Sequence, residues 1–372
     1  MLVLKKLITT ILIMGSIFVN AQIDPIFIST MPSEVDESSG LSFTGPNSIW
    51  THNDTDNDAL IFNIDLNGTF LEEIELSDVI PVDFEDVAFD GLINFYIADL
   101  GNNLNDRMDL KIYKIPNPDL LDNSIFPEVI EVTLSDQSQF PPSDEDKNFD
   151  IEAMIYFNDA LHLFSRNRTN PFNGIIKHYK LDPTPGTQAA ELQGTYFGNL
   201  SENHSGITGA DISPDGSRLV LLSNAALFTF TQFEGDNFFG GTQTYNFFSN
   251  NTSKEGVCFI DNCMIRIGEE SSANGDPGNF YSLNTCDIIS SLSELDVETT
   301  FKVQVSGQLI RITSTFGEFT SKLFSIDGKL VHNGSSSDRS MIIDLGNCAR
   351  SSYILSLEND TAFPSYFKVS NY

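Results

Sequence analysis

The chain has 372 residues, of which 40% are hydrophobic and 30 are phenylalanine, so global disorder is excluded and a large core is expected. Its formal net charge of −32 excludes nucleic acid and anionic membrane surfaces as partners, because like charges repel. Basic partners, calcium-rich or salty surroundings, and solubility alone remain as explanations for so many acids.

The N-terminus, MLVLKKLITTILIMGSIFVNAQ, predicts a secretory signal peptide over residues 1–21. Lys5 and Lys6 precede an apolar run at 7–19, and the small residues around Ala21 suit cleavage by signal peptidase. The run is too short to cross a bilayer, and no other segment is apolar enough to do so. We therefore expect a secreted or cell-surface protein with no transmembrane span in the mature chain.

Secretion places the cysteines in an oxidising compartment, which favours a disulfide. Cys258 and Cys263 flank a turn, and Cys286 ends the strand expected beside Cys263. One bridge among these three is predicted, with Cys263 as one partner, while Cys348 lies far along the chain. The absence of a CxxC pair argues against a zinc site made of thiolates.

A five-residue pattern recurs along the chain and predicts the fold. It combines a polar residue, a small residue or Asp, an aliphatic residue or Ala, any residue, and a large apolar residue. It occurs as SGLSF at 39–43, EDVAF at 85–89, EAMIY at 152–156, TGADI at 208–212 and EGVCF at 255–259. A constant kernel at unequal spacing indicates structural repeats with loops of variable length.

Turn residues and further apolar strands follow each kernel, so that most repeats contain four short strands. Four antiparallel strands per repeat are typical of β-propeller blades. The fifth repeat lacks a fourth strand, which the N-terminal segment PIFIST at 25–30 can supply. We predict an all-β protein with a five-bladed propeller over residues 22–290; six blades are the alternative, because residues 115–150 leave room for extra strands.

In a propeller, the start of the first strand and the end of the second strand of each blade line one mouth of the central channel. This geometry predicts that Glu85, Glu152 and Glu255 meet there, with Ser39 and Thr208 completing the ring. Three carboxylates around a narrow channel either take up protons or bind a cation. With Asp99 from a second-strand end, they form a candidate site for a hard cation such as Ca²⁺; the alternative is a structural cap satisfied by water and arginines.

Basic groups are scarce, and several fall in loops near the same mouth. Arg107, Arg166 and Arg168 could hold an anionic group of a ligand, or pair internally with acids such as Asp99 or Glu152. His52 follows a predicted strand of the first blade and is a candidate ligand or acid–base group, although most loop histidines are neither. No GxSxG, P-loop or HExxH motif is present.

Several motifs within residues 24–290 resemble secreted bacterial propellers related to the phytase esterase-like group. They are ESSGL at 37–41, THNDTDND at 51–58, DFEDVAFD at 83–90, YIADLGNNLNDR at 96–107, IEAM at 151–154 and ITGADISPDG at 207–216. Phe84 stands where usual forms carry Trp. The resemblance implies a calcium-supported propeller and site roles for Glu85, Asp99, Asn102, Arg107 and Glu152.

The last part of the chain resembles the C-terminal sorting domain of the type IX secretion system. The motifs are FKVQVSGQLIRITS at 301–314, KLFSIDGKLVHNG at 322–334, SMIIDLGNCARSSYILSLEND at 340–360 and YFKVSNY at 366–372. The alternating apolar pattern independently predicts a small β-sandwich over residues 299–372, after a linker at 291–298. The resemblance implies export by the type IX machinery of a Gram-negative bacterium of the Bacteroidetes type.

Two functions follow from these predictions. The first is a secreted propeller that binds a cation or small extracellular ligand at the channel mouth. The second is a divalent-metal-dependent hydrolase of phosphate or carboxylic esters, in which Arg107 and Arg166 hold the anion and a glutamate is the base. A mouth with few basic residues favours the first.

Overall fold

A computed structural model describes residues 20–21, 23–54, 58–121, 123–199, 201–272, 274–291, 301–306, 308–314, 318–325, 329–359 and 362–370. Within these residues the protein is almost entirely β-structure, and no helix is long and apolar enough to cross a membrane. Residues 1–19 of the predicted signal peptide and residues 292–298 of the predicted linker lie outside the described residues.

The first sheet follows two short N-terminal strands, β1 (Asn20–Ala21) and β2 (Ile26–Thr30). Four antiparallel strands then form the first blade: β3 (Ser38–Gly45), β4 (Ser48–Asn53), β5 (Leu60–Ile64) and β6 (Phe70–Leu76).

The second and third blades are joined along their outer edges. The second contains β7 (Phe84–Phe89), β8 (Asn94–Asp99), β9 (Lys111–Pro116) and β11 (Glu128–Leu134). The short strand β10 (Ser124–Ile125), between β9 and β11 in the chain, pairs with β6 of the first blade. The third contains β12 (Asp150–Phe157), β13 (Ala160–Arg166), β14 (Ile175–Leu181) and β15 (Gly186–Phe197). Strands β11 and β15 pair in parallel, which makes one continuous sheet.

The fourth blade follows a one-turn helix, α1 (Glu202–Ser205). It contains β16 (Ile207–Ile212), β17 (Arg218–Ser223), β18 (Ala226–Thr231) and β19 (Thr242–Phe247), and β1 pairs with β19. The fifth blade contains β20 (Lys254–Phe259), β21 (Met264–Glu269) and β22 (Asn279–Asn284). As predicted, the N-terminal strand β2 completes it by pairing with β22.

The five inner strands lie side by side in a ring. Strands β3, β7, β12, β16 and β20 are neighbours in this order, and β20 is again a neighbour of β3. This arrangement is a β-propeller with a central channel. The region considered for extra blades holds only β10 and β11 among its described residues, and both add to existing sheets.

Burial explains why the kernels are nearly continuous apolar runs. All six residues of β20 are buried, because an inner strand is covered by neighbouring blades on both faces. The outer strand β11 instead alternates from Val129 onward, with Ile130, Val132 and Leu134 inward and Val129, Glu131 and Thr133 outward. The hydrophobic pattern of each segment therefore reports its distance from the channel.

A disulfide joins the fifth blade to a second helix, α2 (Thr285–Ser291). The bridge links Cys263 and Cys286, which confirms the predicted role of Cys263, and Cys258 and Cys348 take no part in this bridge. The helix ends at Ser291, the first residue of the predicted linker. Asn284 Oδ1 accepts a hydrogen bond from the Cys286 amide at 3.0 Å, which is typical of a helix start.

A second compact unit contains the remaining strands. Three form one sheet, β23 (Phe301–Ser306), β24 (Leu309–Ser314) and β27 (Ser340–Asp344), and four form another, β25 (Phe319–Ser325), β26 (Leu330–Ser336), β28 (Ser352–Asn359) and β29 (Ala362–Ser370). Their apolar faces share one core that includes Ile310, Leu323 and Leu355. The unit is a β-sandwich. Residues 326–328, within the KLFSIDGKLVHNG motif of the predicted sorting domain, lie outside the described residues.

Candidate cation site at the channel mouth

The first residues of the inner strands lie opposite the last residues of the second strands in all five blades. The antiparallel pairs are Ser38 with Asn53, Phe84 with Asp99, Asp150 with Arg166, Ile207 with Ser223, and Lys254 with Glu269. One end of the channel therefore collects residues that are far apart in sequence, which is the geometry that the repeats predict.

A β-bulge follows each of these pairs. The register shifts at Glu85, Glu152, Thr208 and Glu255, and at Gly40–Leu41 in the first blade. A bulge bends the strand and redirects a side chain, and bulges are common beside functional sites. The three glutamates that begin the kernels are thus the bulged residues of their strands.

The hydroxyl groups of Ser39 and Thr208 connect neighbouring blades. Ser39 Oγ donates to the Glu85 carbonyl oxygen at 2.7 Å, and Thr208 Oγ1 donates to the Lys254 carbonyl oxygen at 2.6 Å. In the first blade Gly40 has φ +42°, and a Cβ there would lie 2.7 Å from the Asp86 Cα. These positions stabilise the ring, and the kernel glutamates at the mouth come from the other three blades.

Three buried acids form the centre of the candidate site, which we call the acidic triad: Glu85, Asp150 and Glu152. One carboxylate oxygen from each lies within 4.8 Å of the others. Glu85 belongs to the second blade, and Asp150 and Glu152 belong to the third. Carboxylate oxygens at this spacing are suitable ligands for a hard divalent cation.

Two arginines of the third blade hold part of the triad. Arg166 donates to Glu152 Oε2 at 2.5 Å, and Arg168 donates to Glu152 Oε1 and to Asp150 Oδ2, each at 2.6 Å. Arg166 also approaches Glu255 Oε2 at 3.9 Å, which brings the third kernel glutamate to the same mouth. Glu85 has no hydrogen bond or ion pair to its carboxylate within the described part of the chain.

Burial makes the charged forms of these acids costly. It raises the pKa of Glu85 and of Glu255 well above the usual value, and the neighbouring Glu152 adds to both increases. It raises the pKa of Glu152 to about 8, although Arg166 and Arg168 favour the ionised form. Acids with raised pKa values in one cleft mark a candidate functional site, and a bound cation would relieve the same repulsion.

Gly101 provides the space beside Glu85. A Cβ at this position would lie 2.2 Å from Glu85 Oε1 and 2.4 Å from Asp83 Oδ2, so no larger residue fits without moving the acids. Burial and the nearby Asp150 raise the pKa of Asp83 to about 6. Asp83 therefore adds a fourth carboxylate close to the triad.

Asp99, Arg107 and Asn102 support the site and do not extend the triad. Asp99 accepts hydrogen bonds from Arg107 Nη2 at 2.9 Å and from the Asp83 amide at 3.0 Å. Arg107 also donates to the Gly101 carbonyl oxygen at 2.7 Å. The Asn102 amide donates to Asp150 Oδ1 at 2.5 Å, and its side chain donates to the Phe149 carbonyl oxygen. In the structure, Arg107 therefore pairs internally, which is one of the two alternatives predicted for it.

His52 is buried against Phe84, with ring centroids 5.5 Å apart. Its Nδ1 lies 3.0 Å from the Asn53 carbonyl oxygen, and its Nε2 has no partner among the described residues. Burial lowers the pKa of His52 to about 4, so the ring is neutral at physiological pH. Glu270, at the second-strand end of the fifth blade, has its pKa raised to about 7 by burial and by Asp54.

Sequence reasoning missed Asp150, although a signal for it exists. Asp83-Phe84-Glu85 and Asp150-Ile151-Glu152 share a D-x-E pattern at the start of two successive inner strands. Both acids of each D-x-E stand at the beginning of an inner strand, so each pattern contributes two acids to one mouth. Reading both patterns together would have predicted four carboxylates in place of two.

No protein-family model and no curated protein match the chain. Solved structures with some similarity include the pyrroloquinoline quinone-bound aldose sugar dehydrogenase of Streptomyces coelicolor, with 10% identity and a TM-score of 0.42 over 69% of this chain and 96% of that chain. PorZ, a surface component of the type IX secretion system of Porphyromonas gingivalis, has 10% identity and a TM-score of 0.30 over 89% and 51%. A gluconolactonase of Xanthomonas campestris has 9% identity and a TM-score of 0.38 over 71% and 97%. Similarity at this level indicates nothing about a ligand or a reaction of this chain.

Proposed function

We propose that the protein is a secreted or cell-surface β-propeller that binds one divalent cation at the channel mouth. The ligands are the carboxylates of Glu85, Asp150 and Glu152. The observation that carries the proposal is the placement of one oxygen from each acid within 4.8 Å of the others. Glu255 and Asp83 lie around the triad and add to the negative potential that attracts a cation.

Calcium suits the triad because its coordination is flexible. Ca²⁺ accepts about six to eight oxygen ligands in irregular geometry, whereas Mg²⁺ requires a near-ideal octahedron and gives up its water reluctantly. One carboxylate oxygen from each acid of the triad lies within 4.8 Å of the others, so the three can share one ion.

The surrounding residues fit a cation of two positive charges. The two guanidinium groups on Asp150 and Glu152 offset part of the charge of the triad, while Glu85 has no such partner among the described residues. A buried carboxylate without a counter-charge is costly, and it takes up either a proton or a cation. Uptake of a proton gives a neutral Glu85, and uptake of a cation is the proposed function.

The alternative of an ester hydrolase receives less support from the geometry. It requires arginines that hold the anion, and Arg107 and Arg166 are both bonded to acids of the protein. Turnover of phosphate or carboxylic esters in Ca²⁺ that is lost in Glu85→Gln would nevertheless establish it. A screen of both ester classes with the full chain makes this comparison directly.

Export by the type IX machinery is the second part of the proposal. It rests on the sorting-domain resemblance of the last residues, and the separate β-sandwich with its own core agrees with it. We expect that removal of β23–β29 retains the propeller inside a bacterium that carries the type IX system. Export of the shortened chain at the normal level would contradict this part of the proposal alone.

The cation proposal is tested with the full chain by calorimetric titration of Ca²⁺ after treatment with EDTA. We expect one site per chain in the native protein and a loss of affinity on the order of a hundredfold in Glu85→Gln, which removes one charged ligand. Glu73→Gln is the matched control, because Glu73 is exposed on the outer strand β6. Equal Ca²⁺ affinity in native protein and Glu85→Gln would exclude the triad as the site.

A further inference from the structure

Exposed apolar side chains stand beside the mouth, on two loops of the propeller. We call them the apolar rim: Ile80, Val82, Leu104 and Met108, with 84%, 43%, 66% and 77% of their surfaces exposed. Ile80 and Val82 precede β7, and Leu104 and Met108 belong to the connection between β8 and β9. Single exposed apolar residues need no explanation, but several on adjoining loops mark an interaction surface.

Hydrogen bonds join the two loops into one surface. The Val82 and Asp83 amides donate to the two oxygens of Asp99 at 3.3 Å and 3.0 Å. The Gly101 amide donates to the Asp83 carbonyl oxygen at 3.2 Å, and Asn103 Nδ2 donates to Asp83 Oδ2 at 3.4 Å. The loops therefore present their outer side chains in a fixed arrangement, which lowers the entropy cost of binding a partner.

The loop between β8 and β9 buries polar side chains and exposes apolar ones. Asn105, at φ +58°, is fully buried, and its side chain bonds the Phe149 amide at 2.8 Å and the Asn102 carbonyl oxygen at 2.9 Å. Arg107 also turns inward, to Asp99 and Gly101. Leu104 and Met108, which flank these polar residues, face solvent. Folding thus uses the polar side chains of this loop and leaves its apolar side chains without a role in the core.

Exposed acids accompany the apolar residues on the same loops. Asp78 stands two residues before Ile80, and Asp106 and Asp109 lie between Leu104 and the start of β9. Asp109 also accepts a hydrogen bond from Arg107 Nε at 3.1 Å and remains 56% exposed. This mixture repels an anionic membrane and a second copy of the same acidic surface, while it attracts basic groups. Its chemical complement is a polypeptide that carries basic and apolar side chains side by side.

We propose that the apolar rim is a docking surface for a basic, partly apolar polypeptide segment of a partner protein. The apolar side chains of the segment cover Ile80, Val82, Leu104 and Met108, and its lysines or arginines pair with Asp78, Asp106 and Asp109. This interaction does not require the acidic triad, so it is separate from cation binding. The dependence on both kinds of contact distinguishes it from general attraction to an acidic protein.

The test uses the full chain and a short synthetic peptide in which lysine and leucine alternate. The rim variant is Leu104→Ser/Met108→Ser. The control variant is Leu92→Ser/Ile93→Ser, because these residues are 77% and 64% exposed on the turn between β7 and β8, at the opposite end of the same blade. We expect binding by calorimetry to weaken on the order of tenfold or more in the rim variant and to stay unchanged in the control.

Several results would overturn the proposal. The first is that the native chain does not bind the lysine–leucine peptide. The second is that the rim and control variants bind this peptide equally well. The third is that the native chain has the same affinity for a peptide of alternating lysine and serine, which keeps only the charge. Sedimentation that shows a native dimer and a monomeric rim variant would assign the surface to a second copy of the chain. Retention of the Ca²⁺ affinity in the rim variant is expected in every case, so a failure here is distinguishable from a failure of the cation proposal.

Discussion

Asp86 accepts a hydrogen bond from the main-chain nitrogen of Met154 at 2.8 Å, which joins the inner strands of the second and third blades. The same carboxylate accepts from the Val87 amide at 2.8 Å and from the Ala210 amide of the fourth blade at 3.3 Å. One fully buried side chain therefore links three blades. A main-chain N–H in a sheet usually donates to a main-chain carbonyl oxygen. Where strands of separate sheets meet here, the Asp86 carboxylate takes the place of that carbonyl acceptor.

We expect Asp86→Asn to lower the free energy of unfolding by about 1–3 kcal/mol, the cost of leaving a buried donor unsatisfied. Both oxygens of Asp86 accept from main-chain amides, so the amide nitrogen of Asn must face a donor. Urea unfolding measures the change, and Asp106→Asn, at an exposed position, is the control. Equal loss in both variants would show that Asp86 has no special role between the blades.

The raised pKa values of the mouth acids predict how stability depends on pH. The pKa is raised to about 6 for Asp83, about 7 for Glu270 and about 8 for Glu152, whereas the unfolded chain releases these protons near pH 4. The folded state thus holds more protons than the unfolded state across this range, and its stability falls as pH rises from 6.5 to 8. Because Ca²⁺ binds the ionised acids, the increase in melting temperature that it causes should be larger at pH 8 than at pH 6.5.

Buried histidines oppose this trend at the lower end of the range. Burial lowers the pKa of His52 and His162 to about 4 and that of His178 to about 3, whereas histidine in the unfolded chain has a pKa of about 6.5. Near pH 6.5 the unfolded chain therefore binds protons that the folded chain does not, and this loss of stability fades as the pH rises above about 7. The acids dominate between about pH 7.5 and 8.5, and a melting temperature in EDTA that rises there would contradict the prediction.

Gly101→Ala should weaken Ca²⁺ binding on the order of tenfold while the protein remains folded. The added Cβ would lie 2.2 Å from Glu85 Oε1, and the flexible Glu85 side chain can move away at the expense of its position in the triad. Calorimetric titration of Ca²⁺ measures the loss. Gly194→Ala is the matched control, since the nearest atom to its added Cβ is Phe239 Cδ2 at 4.0 Å. An unchanged affinity in Gly101→Ala would place the cation away from Glu85.

The positions of the inner strands were predictable from local signals. A strand covered on both faces needs a nearly continuous apolar run, and the turn residues that follow mark its end. The kernels beginning at Glu85, Glu152 and Glu255 therefore indicated both the strands and the acids at their starts. The closing strand from Ile26 to Thr30 was predictable in the same way, from the missing fourth strand of the last repeat.

The partners of the charged groups were not predictable in this way. Arg168 reaches Asp150 and Glu152 of its own blade and Asn103 of the second blade, and such distances depend on how whole sheets pack. For Arg107 the sequence left both ligand binding and internal pairing open, and the ion pair with Asp99 at 2.9 Å is visible only in the tertiary structure. His52 shows the same limit, because burial in the folded protein, which lowers its pKa to about 4, is not visible in the sequence.

The sequence by itself determined the repeated strands, the closing N-terminal strand and the three glutamates of the kernels. These properties depend on side-chain alternation and turn chemistry, which act over a few residues. Only the tertiary structure decided that Asp150 joins Glu85 and Glu152, that the arginines bind acids, and that Leu104 and Met108 face solvent. The reason is that electrostatic pairing and burial depend on distances across the ring, between residues that the chain itself keeps far apart.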